Sequence, residues 1–396
     1  MPGFELFSDE ERKEVQDVLD TGVLFRYNFE ANRNGHWKAA SFEKELCQKL
    51  GVGHCHLCAS GTASLNIALA SCGIGAGHEV IVPPFTFLAT IEAVLNAGAT
   101  PIFAEIDETL CLDPADIEKK MTQKTRAVLL VHMCGSMAHV DKIQEICKTK
   151  DIVLIEDACQ SLGARYKGIS LGAFGAMGCF SFDYVKTITC GEGGAVITNN
   201  NELYTTAQAF SDHGHDHLGA DRGKDDHPVL GYNYRISELN AAVGLAQLRK
   251  LDQILEKQRK SKQIYKSILN DCASVKFRDI PDENGDSATF LSILLPDENK
   301  TRDALKKMTE NNVPGAIYWY DNNWHYIRQW QHLKSLKWPA PLTMSVLNDS
   351  FDYQNISLPT SDSIMARTLS FQIKLSDTEA DVTIHANQLK QVLETI

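Results

Sequence analysis

The chain has 396 residues, of which 43% are apolar, so it is long enough for two domains with a sizeable buried core. Its 39 Lys and Arg residues are outnumbered by 51 Asp and Glu residues, and the resulting net charge of −12 disfavours nucleic acid and anionic membranes as partners. An acidic N-terminal segment and the lack of any apolar run of membrane-spanning length predict a cytoplasmic protein, in which the eleven Cys residues are reduced thiols.

Between residues 54 and 200, short apolar segments alternate with helical patterns, which is typical of α/β proteins. The strand-like segments are 54–59, 79–83, 101–106, 127–132, 152–157, 177–182 and 194–198. The helical patterns between them are 62–72, 86–97, 113–121 and 138–149. Because the strand-like segments are apolar almost throughout, helices are expected to cover both faces of each strand. The sequence therefore predicts a mostly parallel central sheet.

The second half of the chain predicts a different organisation. A long amphipathic stretch follows Ser237 and predicts a spine helix that leads out of the large domain. From about residue 272, short strands and polar helices indicate a smaller α+β domain. We therefore expect a large domain over 1–250, with an N-terminal arm, and a second unit over 251–396 that contains the spine helix and the small C-terminal domain.

Sequence motifs for nicotinamide or ATP binding are absent. His78 stands where a dinucleotide fingerprint beginning at Gly73 would need its third Gly, and no GxxxxGK[ST] segment occurs. Lys186 is more informative, because it follows the apolar segment 177–182 and precedes Gly191. Desolvation near the end of a buried strand lowers the pKa of a Lys amine, and the neutral amine attacks carbonyl groups. A surface Lys in a hairpin is the alternative for this residue considered alone.

Three features at other strand ends favour a cofactor site. Segment 152–157 ends in two carboxylates, of which Asp157 would either hold a pyridine nitrogen protonated or cap a helix. At roughly 4 Å and an effective dielectric near 20, the first pairing is worth about 4 kcal/mol, or about three pKa units before desolvation is subtracted. Gly61, Thr62 and Ala63 begin a helix whose free N–H groups suit a phosphate, although an ordinary N-cap gives the same pattern. Phe87 follows another strand and would either stack on a flat ring or pack in the core.

An amine, a strand-end carboxylate, a phosphate-sized helix start and an aromatic ring are the groups that pyridoxal 5′-phosphate requires. From about residue 35 to 250 the chain resembles, in order and spacing, the DegT/DnrJ/EryC1/StrS sugar aminotransferase family. The segments with this resemblance are SGTAS (60–64), GHEVIVPPFTFLAT (77–90), GATPIFAEID (98–107), EDACQSLGA (156–164), SFDYVKTITCGEGGAVIT (181–198) and GYNYRISELNAAVGLAQL (231–248). The resemblance implies a fold-type-I pyridoxal-phosphate-dependent transferase.

The resemblance also implies roles for individual residues. Lys186 would form a Schiff base with pyridoxal 5′-phosphate and move the proton, and Asp157 would pair with the pyridine nitrogen. Gln160 would lie near the 3′-oxygen of the ring, on which Phe87 stacks. The phosphate would be bound by Gly61, Thr62, Ala63 and Ser181, with Asn233 and Arg235 reaching in from a second subunit of a homodimer with shared active sites. A dehydratase branch of the family has His at the position of Lys186, so dehydration is not expected here.

The substrate is expected to be a keto-sugar, with glutamate as the amino donor. Segments 131–143, 181–194, 211–223 and 318–326 are similar to the branch that aminates the 8-oxo form of 3-deoxy-manno-octulosonate, a precursor in lipopolysaccharide biosynthesis. A free sugar acid has a carboxylate that needs a fixed cation. The polar loop 213–231 supplies candidate substrate-binding residues, namely His213, His215, His217 and Arg222.

Other readings of these segments remain open. The alternative to substrate binding for loop 213–231 is an ordinary solvated loop. The spacing of its His residues gives little support to a metal site, so no metal is expected. Two other functions fit the same residues: an aminotransferase for NDP-linked 4-keto- or 3-keto-6-deoxysugars, and a pyridoxal-phosphate-binding regulator without turnover.

Overall fold

The computed structural model describes residues 3–219, 221–343 and 351–396. Its first nine strands, in chain order, are β1 (His54–Cys58), β2 (Glu79–Val82), β3 (Thr100–Phe103), β4 (Thr125–Val131), β5 (Val153–Asp157), β6 (Arg165–Tyr166), β7 (Ile169–Ser170), β8 (Met177–Ser181) and β9 (Gly194–Thr198). Seven of them form the main sheet in the order β1-β9-β8-β5-β4-β2-β3, and β6 pairs with β7. From β8 to β3 every pair is parallel, whereas β9 is antiparallel to both neighbours. The prediction of a mostly parallel sheet is confirmed.

Helices cover the main sheet because its strands are apolar on both faces. The described helices are α1 (Asp9–Thr21), α2 (Lys38–Leu50), α3 (Gly61–Ser71), α4 (Ala89–Asn96), α5 (Pro114–Lys120), α6 (Val140–Lys150), α7 (Asn201–Phe210), α8 (Glu238–Arg249), α9 (Leu251–Leu269), α10 (Glu298–Glu310), α11 (Gln331–Lys334), α12 (Pro359–Met365) and α13 (Glu379–Leu393). Within β4, residues 127–131 are all buried. The strands that end at Cys58, Val82, Asp157 and Ser181 bring four connecting loops to one edge of the sheet.

The expected spine helix is two helices, α8 and α9, joined at Lys250. The ammonium group of Lys250 binds the Glu11 carboxylate at 2.7 Å and the Leu6 carbonyl at 2.9 Å, which anchors the joint to the N-terminal arm. α8 is buried on nearly all sides, and its Gly244 lies against Phe42 so closely that a Cβ would be 2.3 Å from the ring. Of these two helices, only α9 has the amphipathic pattern of a helix with one solvent face.

A second, antiparallel sheet lies in the C-terminal part of the chain. Its strands are β10 (Lys276–Phe277), β11 (Phe290–Leu294), β12 (Ala316–Ile317) and β13 (Thr368–Gln372), in the order β10-β11-β13-β12. α9, α10 and α13 enclose an apolar core with this sheet, to which Leu291, Phe371 and Leu389 belong. This arrangement is the α+β organisation expected for the small domain.

One segment that leaves the small sheet, the excursion at residues 319–330, packs on the large domain instead. Trp319, Tyr326 and Trp330 belong to the same apolar core as the main sheet. A backbone seam joins segments 84–86 and 325–327: Thr86 N–H donates to the carbonyl of His325 at 3.0 Å, and Ile327 N–H donates to that of Pro84 at 3.1 Å. Part of the segment after residue 250 thus forms one wall of the large domain, and the division at 250 stays a prediction.

All eleven Cys residues are free thiols. Among the described residues, no helix combines the length and apolar character needed to cross a bilayer.

Candidate active site

A cavity of about 220 Å³ opens at the edge of the main sheet where β1, β2, β5 and β8 end. Parallel sheets bind ligands at this edge, because loops from several strands converge there. Seven of the residues predicted for the cofactor line this cavity, namely Gly61, Thr62, Phe87, Asp157, Gln160, Ser181 and Lys186. The fold therefore brings together residues from four of the sequence segments that resemble the family.

The two consecutive carboxylates at the end of β5 have different surroundings, because successive side chains of a strand point to opposite faces. Glu156 is fully buried away from the cavity and accepts hydrogen bonds from three backbone N–H groups, those of Gly172, Phe174 and Gly175. His132 Nε2 lies 2.9 Å from the same carboxylate. Glu156 is thus a structural residue, and Asp157 is the carboxylate available to a ligand.

Asp157 is held in place by two donors. Thr90 Oγ1 donates to Asp157 Oδ2 at 2.8 Å, and the Cys159 N–H donates to Oδ1 at 3.1 Å. An ionised carboxylate accepts about four hydrogen bonds, so Asp157 retains acceptor capacity on its cavity side. Thr90 lies in the segment 77–90 that the sequence singled out, but nothing in the pattern distinguished its hydroxyl from that of a core Thr.

The other end of the cavity is formed by the start of α3. Ser60 caps this helix and takes the Ala63 N–H at 3.1 Å, whereas the N–H groups of Gly61 and Thr62 have no partner among the described residues. A Cβ on Gly61 would lie 2.7 Å from Ser181 Cβ, so only Gly allows α3 to approach the end of β8 this closely. Two free N–H groups, the helix dipole and the Ser181 hydroxyl thus face one small space, as an anion requires.

Gln160 is oriented by the backbone beside it. The Cys134 N–H donates to Gln160 Oε1 at 3.0 Å, and Cys134 adopts the left-handed conformation, with φ 57°, in making this turn. Because the amide oxygen is fixed in this way, Nε2 is the group that Gln160 can offer to a ligand. It has no hydrogen-bond partner among the described residues.

Lys186 lies on the loop between β8 and β9, where it is partly buried. The loop is closed by backbone hydrogen bonds from Phe182 N–H to Gly193 and from Cys190 N–H to Phe182. From the other side, Gly3 of the N-terminal segment donates to the Lys186 carbonyl at 3.0 Å. The amine of Lys186 makes no hydrogen bond or ion pair with the described residues, so it is free to react.

His325 is a residue at this site that the sequence analysis did not single out. Its ring lies 5.5 Å from that of Phe87, between the centroids, and burial together with the nearby Lys186 lowers the pKa of His325 to about 4. Asn322 Oδ1 receives the Trp324 N–H at 2.9 Å and lies 3.1 Å from His325 Nδ1. Because this oxygen only accepts, Nδ1 holds the proton of a neutral imidazole and Nε2 is an acceptor.

The residues predicted to bind the sugar acid do not line the cavity of their own chain. Arg222 pairs with the fully buried Asp212 at 2.6 Å, and His217 Nε2 lies 3.4 Å from the same carboxylate. Although burial opposes ionisation, hydrogen bonds from Arg222 and Arg235 keep the pKa of Asp212 below its usual value. His215 lies 3.1 Å from Asp225. This charge network fixes loop 213–231.

Asn233 and Arg235 also lie outside the cavity of their own chain. Their segment runs beside the end of β1, where the Ala59 N–H donates to the Tyr234 carbonyl at 2.8 Å. Arg235 joins Arg222 on Asp212, and Asn233 is exposed. In the described parts of the chain, no cluster of His, Cys, Asp and Glu has the geometry of a metal site.

The groups around the cavity fit pyridoxal 5′-phosphate on structural grounds. A buried carboxylate with spare acceptor capacity suits the ring nitrogen, and a helix start with two unpartnered N–H groups suits the phosphate. The unpaired amine of Lys186 suits the aldehyde, and the Nε2 group of Gln160 suits a ring oxygen. A larger residue in place of Gly61 would fill the space between the start of α3 and Ser181 and would remove the fit to the phosphate.

Comparison with known proteins supports the same family as the motifs. The model of the DegT/DnrJ/EryC1/StrS aminotransferase family matches residues 7–388. GDP-perosamine synthase from Vibrio cholerae is 32% identical over 356 residues, which cover 88% of this chain and 90% of that protein. A pleiotropic regulatory protein from Geobacillus stearothermophilus is 32% identical over 326 residues, covering 81% of this chain and 79% of that protein.

Among solved structures, Helicobacter pylori PseC, an aminotransferase of pseudoaminic acid biosynthesis, is similar with a TM-score of 0.82. The two are 25% identical, and the match covers 98% of each chain. The expected fold-type-I transferase architecture is thereby confirmed.

Proposed function

The chain belongs to the DegT/DnrJ/EryC1/StrS aminotransferase family and is a sugar aminotransferase, and on this premise we propose that it aminates the 8-oxo form of 3-deoxy-manno-octulosonate with glutamate as donor. The observation on which the proposal depends is the shared cavity of Lys186 and Asp157, two residues 29 positions apart that line one space with a free helix start. We further propose that pyridoxal 5′-phosphate is the cofactor and that the enzyme acts in the cytoplasm.

Pyridoxal 5′-phosphate, when bound, supplies an aldehyde that condenses with amines and a ring that accepts electrons. The Asp157 carboxylate, oriented by Thr90 and the Cys159 N–H, would accept a hydrogen bond from the protonated ring nitrogen and so favour its charged form. The N–H groups of Gly61 and Thr62, together with the Ser181 hydroxyl, would bind the phosphate. Lys186 would hold the aldehyde in the resting enzyme and, once an amino donor has taken its place, would take the proton from the donor's α-carbon.

In the first half-reaction water would supply the carbonyl oxygen of the departing keto acid, and in the second the carbonyl oxygen of the sugar would leave as water while its carbon receives the retained nitrogen. Lys186 would serve this second half-reaction in reverse, because it would return a proton to the carbon that receives the nitrogen. The backbone hydrogen bonds of Gly3, Phe182 and Cys190 hold the Lys186 loop in place. The chain thus supplies one acid–base group for both half-reactions.

The choice of sugar rests on the similarity of four segments to the octulosonate branch. An NDP-linked keto-sugar is the second candidate, since a relative with 90% of its length matched is named GDP-perosamine synthase. A regulator without turnover is the third, since another relative bears the name of a regulatory protein.

Transamination run in reverse distinguishes these candidates. The holoenzyme is mixed with 8-amino-3,8-dideoxy-manno-octulosonate or with GDP-perosamine, and the keto-sugar is identified by mass spectrometry while the cofactor absorbance is followed. We expect conversion of the octulosonate and little of GDP-perosamine. The opposite preference would replace the proposed substrate. A cofactor absorbance band that changes with none of the two sugars and glutamate would favour the regulator. Borohydride reduction should attach the cofactor to the peptide containing Lys186.

A further inference from the structure

A second groove borders the cofactor cavity and shares Phe87 with it. It has a volume of about 400 Å³ and lies between α4 and the excursion of the small domain that packs on the large one. Its walls include Asn323, Trp324 and Gln329. Because Phe87 lines both spaces, a molecule in the groove would lie beside the cofactor cavity.

Trp324 differs from the other aromatic residues of its segment. Trp319 and Tyr326 are buried in the core, at 5% and 0% exposure, whereas Trp324 is 64% exposed and makes no ring contact with the described residues. Exposed Trp is uncommon on a folded protein, because it leaves a large apolar area in water. Its flat face suits the C–H face of a sugar ring, whose hydrogens meet the negative π surface.

The backbone at Trp324 is anchored without a ligand. Its N–H is held by Asn322 Oδ1 at 2.9 Å, and the following residue, His325, is held by the backbone seam to Thr86. An anchored backbone reduces the conformational entropy that a recognition residue loses on binding. The groove therefore presents Trp324 from a fixed position of the chain.

The charges around the groove restrict what it can bind. Among the described lining residues, Glu92 is the one acidic side chain and none is a Lys or Arg, and the neighbouring Arg328 is paired bidentately with Asp362 at 2.6 and 2.8 Å. A carboxylate or a phosphate would be repelled here, because like charges in a partly desolvated space interact unfavourably. Side-chain amides, which both donate and accept, are instead suited to hydroxyl groups.

We propose that this groove binds the uncharged, hydroxyl-bearing part of the sugar substrate, with Trp324 as the stacking platform and the amides of Asn323 and Gln329 as its hydrogen-bonding groups. The proposal deepens the proposed function and depends on it for the identity of the ligand. It assigns the anionic part of the substrate, whether carboxylate or diphosphate, to a place outside the groove.

The test compares Trp324→Ala and Trp324→Phe with Trp338→Ala, a control that removes a partly exposed Trp outside the groove. Binding of 8-amino-3,8-dideoxy-manno-octulosonate and of GDP-perosamine is measured by calorimetry on borohydride-reduced holoenzyme, in which no transamination occurs. Trp324→Ala should weaken the better-bound amino sugar by about 10- to 100-fold. Trp324→Phe should retain most of the affinity, and Trp338→Ala should leave it unchanged.

The glutamate half-reaction of the unreduced enzymes separates this proposal from the proposed function. All three variants should react with glutamate at the wild-type rate, because the donor does not reach the groove. Wild-type sugar affinity in Trp324→Ala, an equal loss of the glutamate half-reaction, or failure of both amino sugars to bind the wild-type enzyme would each overturn the groove assignment. Failure of the wild-type enzyme to react with glutamate would refute glutamate as the amino donor and leave the groove assignment intact, since sugar binding is measured independently.

Discussion

Glu156 and Asp157 are chemically similar neighbours whose roles are set by the strand that presents them. Glu156 faces the interior, where three backbone N–H groups and His132 satisfy it, and Asp157 faces the cavity with acceptor capacity to spare. The sequence could place one carboxylate at the sheet edge, because β5 was recognisable as a buried strand. The family resemblance, rather than the strand pattern, singled out Asp157 of the two.

Substitution of these two residues should separate catalysis from stability. Asp157→Asn should slow the glutamate half-reaction about 1000-fold, because it removes a charge pairing worth about three pKa units on the ring nitrogen. Glu156→Gln should instead lower the melting temperature, since an amide NH2 would face backbone N–H donors in a fully buried site. Stopped-flow absorbance and thermal unfolding measure the two effects. Equal loss of activity in a well-folded Glu156→Gln would contradict this division.

The residues that the sequence did not identify at this site share a physical reason. Thr90 contacts Asp157, which lies 67 residues away in the sequence. His325 lies near Lys186, which is 139 residues away. A hydroxyl inside an apolar helix and a His in an aromatic segment give no periodic signal. Their roles follow from the packing of α4 against β5 and of the small-domain excursion against the large domain.

At the scale of elements, the strands were the most predictable part of the fold. Their short apolar runs are recognisable, and β1 to β5 lie within a few residues of the predicted segments. The spine was less predictable, because residues 238–249 and 251–269 are both helical and nothing in the composition marks a joint at Lys250. That joint is set by tertiary contacts of its ammonium group with the N-terminal arm.

The approach of α3 to β8 gives a prediction at this scale. In Gly61→Ala the new Cβ would meet Ser181 Cβ at 2.7 Å and push the helix start away from the end of β8. The affinity for pyridoxal 5′-phosphate should fall by at least about tenfold, measured by titration of the apoenzyme. Gly53→Ala is a suitable control, because its nearest contact would be an ordinary 3.5 Å. Unchanged cofactor affinity in Gly61→Ala would show that the phosphate binds elsewhere.

At the scale of the whole molecule, the positions of Asn233 and Arg235 bear on the expectation that they act on the cofactor of a second subunit. Both lie outside the cavity of their own chain, although their segment runs beside the strand that leads into α3. Exposed apolar side chains occur on neighbouring segments, with Leu230 at 95% and Tyr232 at 59% exposure. These features support the proposed homodimer with shared active sites.

Complementation tests that arrangement. Lys186→Ala and Asn233→Ala should each have little activity, because each removes a group from every site. If Asn233 acts in the partner's site, an equimolar mixture of exchanging subunits forms half heterodimers, each with one intact site, and recovers roughly a quarter of wild-type activity. Co-purification of an untagged variant with an affinity-tagged one confirms that subunits exchange. A mixture no more active than its components would place Asn233 in its own chain's site or outside both.

The turn at 321–324 is held at both ends. The buried Tyr320 precedes it, and the buried Tyr326 and the seam between 84–86 and 325–327 follow it. The tip of this turn can therefore be exchanged as a cassette while its stem stays unchanged. Grafting the corresponding tip of another family member would alter which ketone is selected and would leave the nitrogen-transfer machinery intact. Divergence of this family toward new carbohydrates would then need only a few codons.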